Sequence, residues 1–389
     1  MKIGFVSTAL AVLAAAACPA RACTSWVILP EASRSGNMII QKVLDNPYSP
    51  LDADFRVAPN GWRWLRIGRY GGPSVAINEK GVAITTNTGD HWSPAARKLD
   101  DERHWFDSFG LEWQVVKNCA TAEEGVEALK NLARNGLFNY SRGRSNMGTN
   151  VLVADAKRAF ALELATGYCE AAELTCGMHV IANAWRLPGG ESISISSMTD
   201  TITNRTRDAC ARKALQEGMI DGKYTLRGCF AASRMVRGRK YAERYVFVPG
   251  SRKARNMSLL SGCFEIDAEF PACLSCAYTA LGPPRHTVFL PIPMAVRQLP
   301  DKMRDGRWAQ MAFDHQEAFG PEHGDLRKIV ELEDRFLTEF AATREEARRL
   351  LKAGKKDEAV KLLNNTFERH YAEADAVLTE LQRSAQAKR

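Results

Sequence analysis

The 389-residue sequence lacks several things that would narrow its function at once. Beyond the first 22 residues no apolar run is long enough to cross a bilayer, which takes ~20 residues; the segment from Val288 to Val296 is interrupted by Pro291 and Pro293. No nucleic-acid-binding motif accompanies the modest formal charge of +8, and its cationic stretch between Arg205 and Arg255 reads as a solvated loop or an attractor of anionic substrates or surfaces. Cys273-Leu274-Ser275-Cys276 has no second Cys-x-x-Cys to complete a zinc site. No strand–motif–helix pattern surrounds it as in a redox site, and no papain-like Gly-Ser-Cys-Trp occurs. Internal repeats and low-complexity linkers are absent. These gaps leave a globular chain with no metal or cofactor implied, and composition agrees, at 45% hydrophobic and 25% charged residues.

What is present begins at the start. Lys2 precedes an apolar stretch from Ile3 to Ala17, and Ala20-Arg21-Ala22 is a small-x-small tripeptide. Together they predict a signal peptide over 1–22, cut by signal peptidase to leave Cys23 first, and a periplasmic or secreted protein. Lipid anchoring, at Cys18 or Cys23, is the alternative. Eight further cysteines in an oxidising compartment predict disulfides, with Cys169–Cys176 and Cys263 with Cys273 or Cys276 as local pairs.

Strands are predicted at Thr24–Leu29, Asn37–Leu44, Arg63–Ile67, Ser74–Asn78, Val82–Thr86, Val151–Ala154, Ala159–Leu164, His179–Asn183 and His286–Ile292, the last after a loop-rich, cysteine-rich stretch. Residues 110–135 read as helix, restarted by the capping signal at Thr121, and another helix is predicted near Arg205–Gln216. From Asp325 the 3.6-residue periodicity predicts two long helices broken at Ala353-Gly354-Lys355. The order favours a layered α+β fold with antiparallel sheets. The predicted organisation is a leader over 1–22, a catalytic domain over 23–324, and a C-terminal helical pair over 325–389 packed on it.

An N-terminal cysteine carries a nucleophilic thiol and an α-amine whose reference pKa of ~7.7–8.0 suits a general base. One residue can then supply both roles, with no neighbouring histidine. Cys23-Thr24-Ser25 followed by strand, turn, strand and Asp45 resembles the opening of the cysteine branch of the N-terminal nucleophile hydrolases: choloylglycine hydrolases and penicillin V acylases, penicillin acyltransferases and dipeptidase A. Those families end the second strand in Arg-x-x-Asp; here Lys42-Val43-Leu44-Asp45 keeps the carboxylate and replaces the fork of Arg with Lys. The stretch from Gly71 through Asn78-Glu79-Lys80-Gly81 to Asn87 is similar to the family's, as are His179-Val180-Ile181-Ala182-Asn183 and the helix opening at Arg205. The tail, from Phe289 on, looks most like dipeptidase A.

The resemblance implies a four-layer αββα sandwich and hydrolysis of, or acyl transfer from, linear amides such as dipeptides or N-acyl amides. It implies Cys23 as nucleophile, Asp45 as holder of the α-amine, Lys42 as a nearby cation favouring the thiolate, Asn87 and Asn183 as oxyanion donors, and Arg205 as a charge near the nucleophile. Competing readings are a non-enzymatic binding protein on the same fold and a lipoprotein. Aromatic residues Trp62, Trp64, Tyr70, Trp92, Trp105 and Phe138 line either an acyl pocket or the core.

Overall fold

A computed structural model describes residues 23–69, 72–91, 105–107, 110–135, 137–139, 147–165, 168–188, 198–235, 246–254, 257–321 and 326–388. The leader 1–22, Tyr70, Trp92 and the basic residues Arg237, Arg239 and Lys240 lie outside them, as do parts of the segments 88–108 and 136–147.

Two antiparallel sheets form the centre. The first orders its strands β12 (Met178–Ile181), β1 (Thr24–Ile28), β2 (Met38–Asn46), β13 (Met257–Ile266), β14 (Cys276–Leu281) and β15 (Leu290–Pro293). The second orders β11 (Tyr168–Leu174), β10 (Ala159–Ala165), β9 (Met147–Ala154), β6 (Ala83–His91), β5 (Gly72–Asn78), β4 (Arg63–Arg69) and β3 (Leu51–Val57). A short parallel pair, β7 (Trp105–Asp107) and β8 (Leu137–Asn139), stands apart.

Alternation of side chains along each strand distributes the core over three layers of contact. Val27, Ile40, Leu44 and Phe264 of the first sheet meet Leu65, Ile67, Val75 and Leu152 of the second. On the first sheet's outer face Trp26, Ile28, Ile39 and Val43 pack on helices α3 (Met198–Glu217) and α4 (Leu226–Ser233), through Ala211, Leu215 and Phe230. On the second sheet's outer face Ala76, Ile84 and Val153 pack on α1 (Leu111–Asn118) and α2 (Ala122–Asn135). The result is helix, sheet, sheet, helix, as expected. Three helices follow, α5 (Pro271–Leu274), α6 (Asp301–Arg304) and α7 (Arg307–Phe319), and then the long pair α8 (Leu326–Lys352) and α9 (Lys356–Lys388). Gly354, at φ +75°, makes the turn between the last two. Ile329, Phe336, Phe367 and Leu378 from this pair join the same core as the sheets. Among the described residues no helix is long and apolar enough to cross a membrane.

Two expectations need correcting. The stretch before His286 is not loop-rich: β13 and β14 are interior strands of the first sheet, and β13 is wholly buried and pairs with both β2 and β14. Its short polar interruptions, Ser261-Gly262 and Ser275, hide the alternation. Gly262 is required where the sheets come close, since a Cβ there would sit 2.7 Å from Val75 Cγ2. The nine described cysteines are free thiols. Cys169 and Cys176 cannot pair because β11 runs extended from Cys169 to Leu174, five residue steps that cover ~17 Å, and the two residues left cannot bring Cys176 back within reach of a disulfide. Cys263 stands opposite Tyr278 and Cys276 opposite Glu265, so those two are offset along the ladder, while Cys273 sits in α5.

Candidate active site

Cys23 immediately precedes β1, and its side chain joins the core between the sheets at 3% exposure. Ser25 and Lys42 belong to strand positions of the same parity as inward-facing Val27 and Ile40, so they too reach the gap. Ser25 Oγ donates to Asn87 Oδ1 at 2.9 Å, and Lys42 Nζ donates to the Thr86 carbonyl; both partners lie on β6 of the opposite sheet. β6 is delivered by the Asn78–Gly81 turn. Asn78 Oδ1 accepts from the N–H groups of Lys80 and Val82, its Nδ2 donates to the carbonyls of Val116 and Cys119, and Gly81 takes φ +85°.

Asp45 is the last residue but one of β2, beside a bulge opposite Ser258 and Leu260. The Cys23 thiol lies 3.7 Å from the Asp45 carbonyl. The Asp45 carboxylate is fully buried and accepts hydrogen bonds from Ser258 Oγ and from Arg207 Nη2, the latter at 2.5 Å. Burial pushes its pKa up to about 7, against the opposing pull of Arg207, Ser258 and Lys42. Arg207 comes from α3. Its Nη1 lies 3.4 Å from both the Cys23 carbonyl and Asn183 Oδ1.

The guanidinium in the cluster is therefore that of Arg207 and not Arg205, which is exposed on the same helix. Two residues along a helix rotate a side chain by about 200°, so Arg205 points away from the cluster, and α3 opens at Met198 and not at Arg205. The buried positions Asn204, Arg207, Asp208, Ala211 and Ala214 mark the inward face, and three of the five are polar or charged, so no apolar stripe announces it in the sequence.

The two asparagines differ. Asn87 Nδ2 donates to the carbonyls of Ile181 at 3.1 Å and Ala182 at 3.4 Å, which makes it a tie between β6 and the end of β12. Asn183 Nδ2 donates to the Thr88 carbonyl at 2.5 Å, and the same amide faces Arg207. Asn150, unremarked in the sequence, stands opposite Asn87 in the β6–β9 register and donates to the carbonyls of Ala182 and Ala184 at 3.0 and 3.1 Å. His179 and His286 are not drawn into the cluster: the His179 ring bonds the Cys176 carbonyl, and His286 pairs with His315. Trp62 and Trp64 pack on the α1–α2 side of the second sheet, as core and not as an acyl pocket.

No family model and no curated protein sequence matches the chain. Among solved structures it is similar to an arginine-to-leucine variant of a conjugated bile acid hydrolase from Clostridium perfringens, at 14% identity and TM-score 0.47, over 70% of this chain and 92% of that one. It is similar to a cysteine-to-alanine variant of the same hydrolase at 14% identity and TM-score 0.44, over 66% of this chain and 89% of that one. A Caenorhabditis elegans ortholog of N-acylethanolamine-hydrolyzing acid amidase aligns at 15% identity and TM-score 0.40, over 62% of this chain and 92% of that one.

Proposed function

We propose that this protein hydrolyses linear amides, or transfers their acyl group, through Cys23 as an N-terminal nucleophile. The observation that carries the reading is the meeting of Cys23 with Asp45 of β2 and Arg207 of α3, with Asn183, just after β12, joined to them through Arg207. Export and removal of residues 1–22 free the Cys23 amine in this reading, and dipeptides or N-acyl amides are the substrates.

The neutral α-amine takes the thiol proton, and the thiolate attacks the amide carbonyl carbon. The carbonyl electron pair moves to oxygen, where the Asn183 amide, with one N–H held by the Thr88 carbonyl, offers its second as donor. Collapse breaks the C–N bond, and the amine departs with the proton held on the α-ammonium. Water, deprotonated by the same amine, attacks the thioester carbon and releases the acid and the Cys23 thiol. The sum is one amide and one water giving one acid and one amine; a second amine in place of water gives transfer. Asp45 anchors the α-amine, Arg207 fixes Asp45, and Lys42 adds positive charge nearby.

The test uses the mature chain, Cys23→Ala, and a chain with one extra residue ahead of Cys23, against a panel of N-acyl amides and dipeptides. Each change is expected to lower kcat by ~10³-fold or more, as loss of a nucleophile or its base does. Turnover surviving the blocked amine would sink the role of the amine as base.

A further inference from the structure

β13 breaks register beside the Cys23 cluster: Ser258 stands opposite Asp45 and Leu260 opposite Leu44, which leaves Leu259 as the extra residue of a bulge. A bulge re-aims the side chains next to it. Here it accompanies a serine whose hydroxyl has a fixed direction. Ser258 Oγ accepts from the Val248 N–H at 2.8 Å, and an N–H can only donate. The single hydroxyl hydrogen is thereby left for Asp45 Oδ1, to which Ser258 donates. The Ser258 N–H donates in turn to the Val248 carbonyl at 3.0 Å, so backbone and side chain together clasp the two residues.

The segment behind this clasp is held independently of Cys23. The Phe247 N–H donates to the Met235 carbonyl, and the Gly250 carbonyl accepts from Gln316 Nε2 of α7 at 2.8 Å. Arg252 pairs with Asp314 and Glu317 of the same helix, and its guanidinium lies 5.3 Å from the centre of the Tyr48 ring.

Ser258 and Arg207 divide the Asp45 carboxylate between them. Oδ1 accepts from the hydroxyl and Oδ2 from Arg207 Nη2, so one group from β13 and one from α3 set the plane of the carboxylate. Both bonds favour the charged form against the burial that pushes its pKa up to about 7. Ser258 is fully buried, so bulk water does not compete for its hydroxyl.

We infer that Ser258 is a positioning residue of the Cys23 site: its hydroxyl, aimed by Val248, fixes the angle at which the Asp45 carboxylate meets the Cys23 α-amine. This rests on the amide-hydrolase reading above and adds to it a residue that acts through Asp45 and not on the substrate.

The experiment has two readouts. The first is turnover of the same panel of N-acyl amides and dipeptides by the mature protein. Ser258→Ala is expected to lower kcat by roughly 10- to 100-fold, the scale of one hydrogen bond to a charged group, with KM unchanged, because the base is misaligned and the substrate is not touched. Ser258→Thr keeps the hydroxyl and is expected to recover most of kcat. An unchanged kcat in Ser258→Ala, or a threonine variant that folds and does no better than alanine, overturns the role. The second readout needs no substrate: it follows Asp45 by denaturation from about pH 4 to 9, in the chain with one extra residue ahead of Cys23. The folded pKa of Asp45 already stands above 3.8, so its contribution to stability falls as pH rises to about 7. Losing the hydroxyl raises that pKa further, and in Ser258→Ala the fall is expected to run on about one pH unit higher. Among the described residues the charged groups facing Asp45 are Arg207 of α3 and Lys42 of its own strand, with the Cys23 thiol as a titratable neighbour, and the variant alters none of them. A fall that ends at the same pH in both proteins overturns the hold of Ser258 on Asp45. Should the parent turn over no amide, this second readout decides alone: a shifted fall keeps the hold and removes only the hydrolase reading, and an unshifted one removes both.

Discussion

Arg207 bridges Asp45 and the backbone of Cys23: one guanidinium nitrogen donates to the Asp45 carboxylate at 2.5 Å while the other stands 3.4 Å from the Cys23 carbonyl. Both side chains are almost completely buried, so neither has water to replace its partner. Arg207→Ala leaves a carboxylate in the interior without its cation and is expected to destabilise the fold by about 3–5 kcal/mol. Urea denaturation reads this as a lower midpoint. Arg207→Lys, which keeps the charge and loses the fork, is expected to fall between Arg207→Ala and the parent.

Asp45 also sets a pH dependence. With the Cys23 nitrogen in peptide linkage its pKa is about 7 in the fold, against 3.8 for an unperturbed aspartate. The folded state therefore keeps a proton that the unfolded chain releases. The stability this proton confers is full below 3.8 and lost as pH rises to about 7, with a slope no steeper than about 1.4 kcal/mol per pH unit. Asp45→Asn is expected to remove that slope in denaturation curves taken from about pH 4 to 8. A difference between the two proteins that does not change with pH would mean that Asp45 is ionised throughout.

His286 produces the opposite trend. Its Nε2 lies 3.2 Å from the Pro321 carbonyl, which can only accept, so Nε2 carries the hydrogen and Nδ1 accepts from His315 Nδ1 at 2.9 Å. Burial, with His315 beside it, pushes the His286 pKa down to about 3. Its contribution to stability is present above the ordinary histidine value of 6.5 and lost as pH falls from there through 3. His286→Gln is expected to flatten the acid limb of the melting-temperature profile.

Gly148 is the fourth test. A Cβ there would fall 2.0 Å from Trp185 Cζ2 and 2.8 Å from the Leu164 carbonyl oxygen, so Gly148→Ala must displace Trp185. A loss of about 1–3 kcal/mol is expected from the overpacking, measured by thermal melting.

Much of the fold could be read from the chain because its periodicities are clean. The hairpin of β1 and β2, the broken helix over 110–135 and the C-terminal pair all show their apolar spacing openly. β13 and β14 were missed because Ser261, Gly262 and Ser275 interrupt the pattern, and their burial is decided by the sheets around them. In the site, Cys23 and Asp45 follow from position, one before the first strand and one at the end of the second. Arg207 required knowing which face of α3 turns inward. Asn150 could not be found without the register that sets it opposite Asn87. The cysteines misled for a related reason: their count suggests pairing, while strand geometry keeps Cys169 from Cys176.

Asn87 and Asn150, side by side on the second sheet, both grip the carbonyls after β12, which belongs to the first. The machinery around Cys23 is thus sewn across the seam between the two sheets and belongs to neither alone. Such an arrangement has no half-assembled form: once the sheets part, Cys23 loses its surroundings in the same step. Inactivation and global unfolding should trace a single cooperative curve in denaturant, with no intermediate that retains its tertiary fold and has lost only its chemistry.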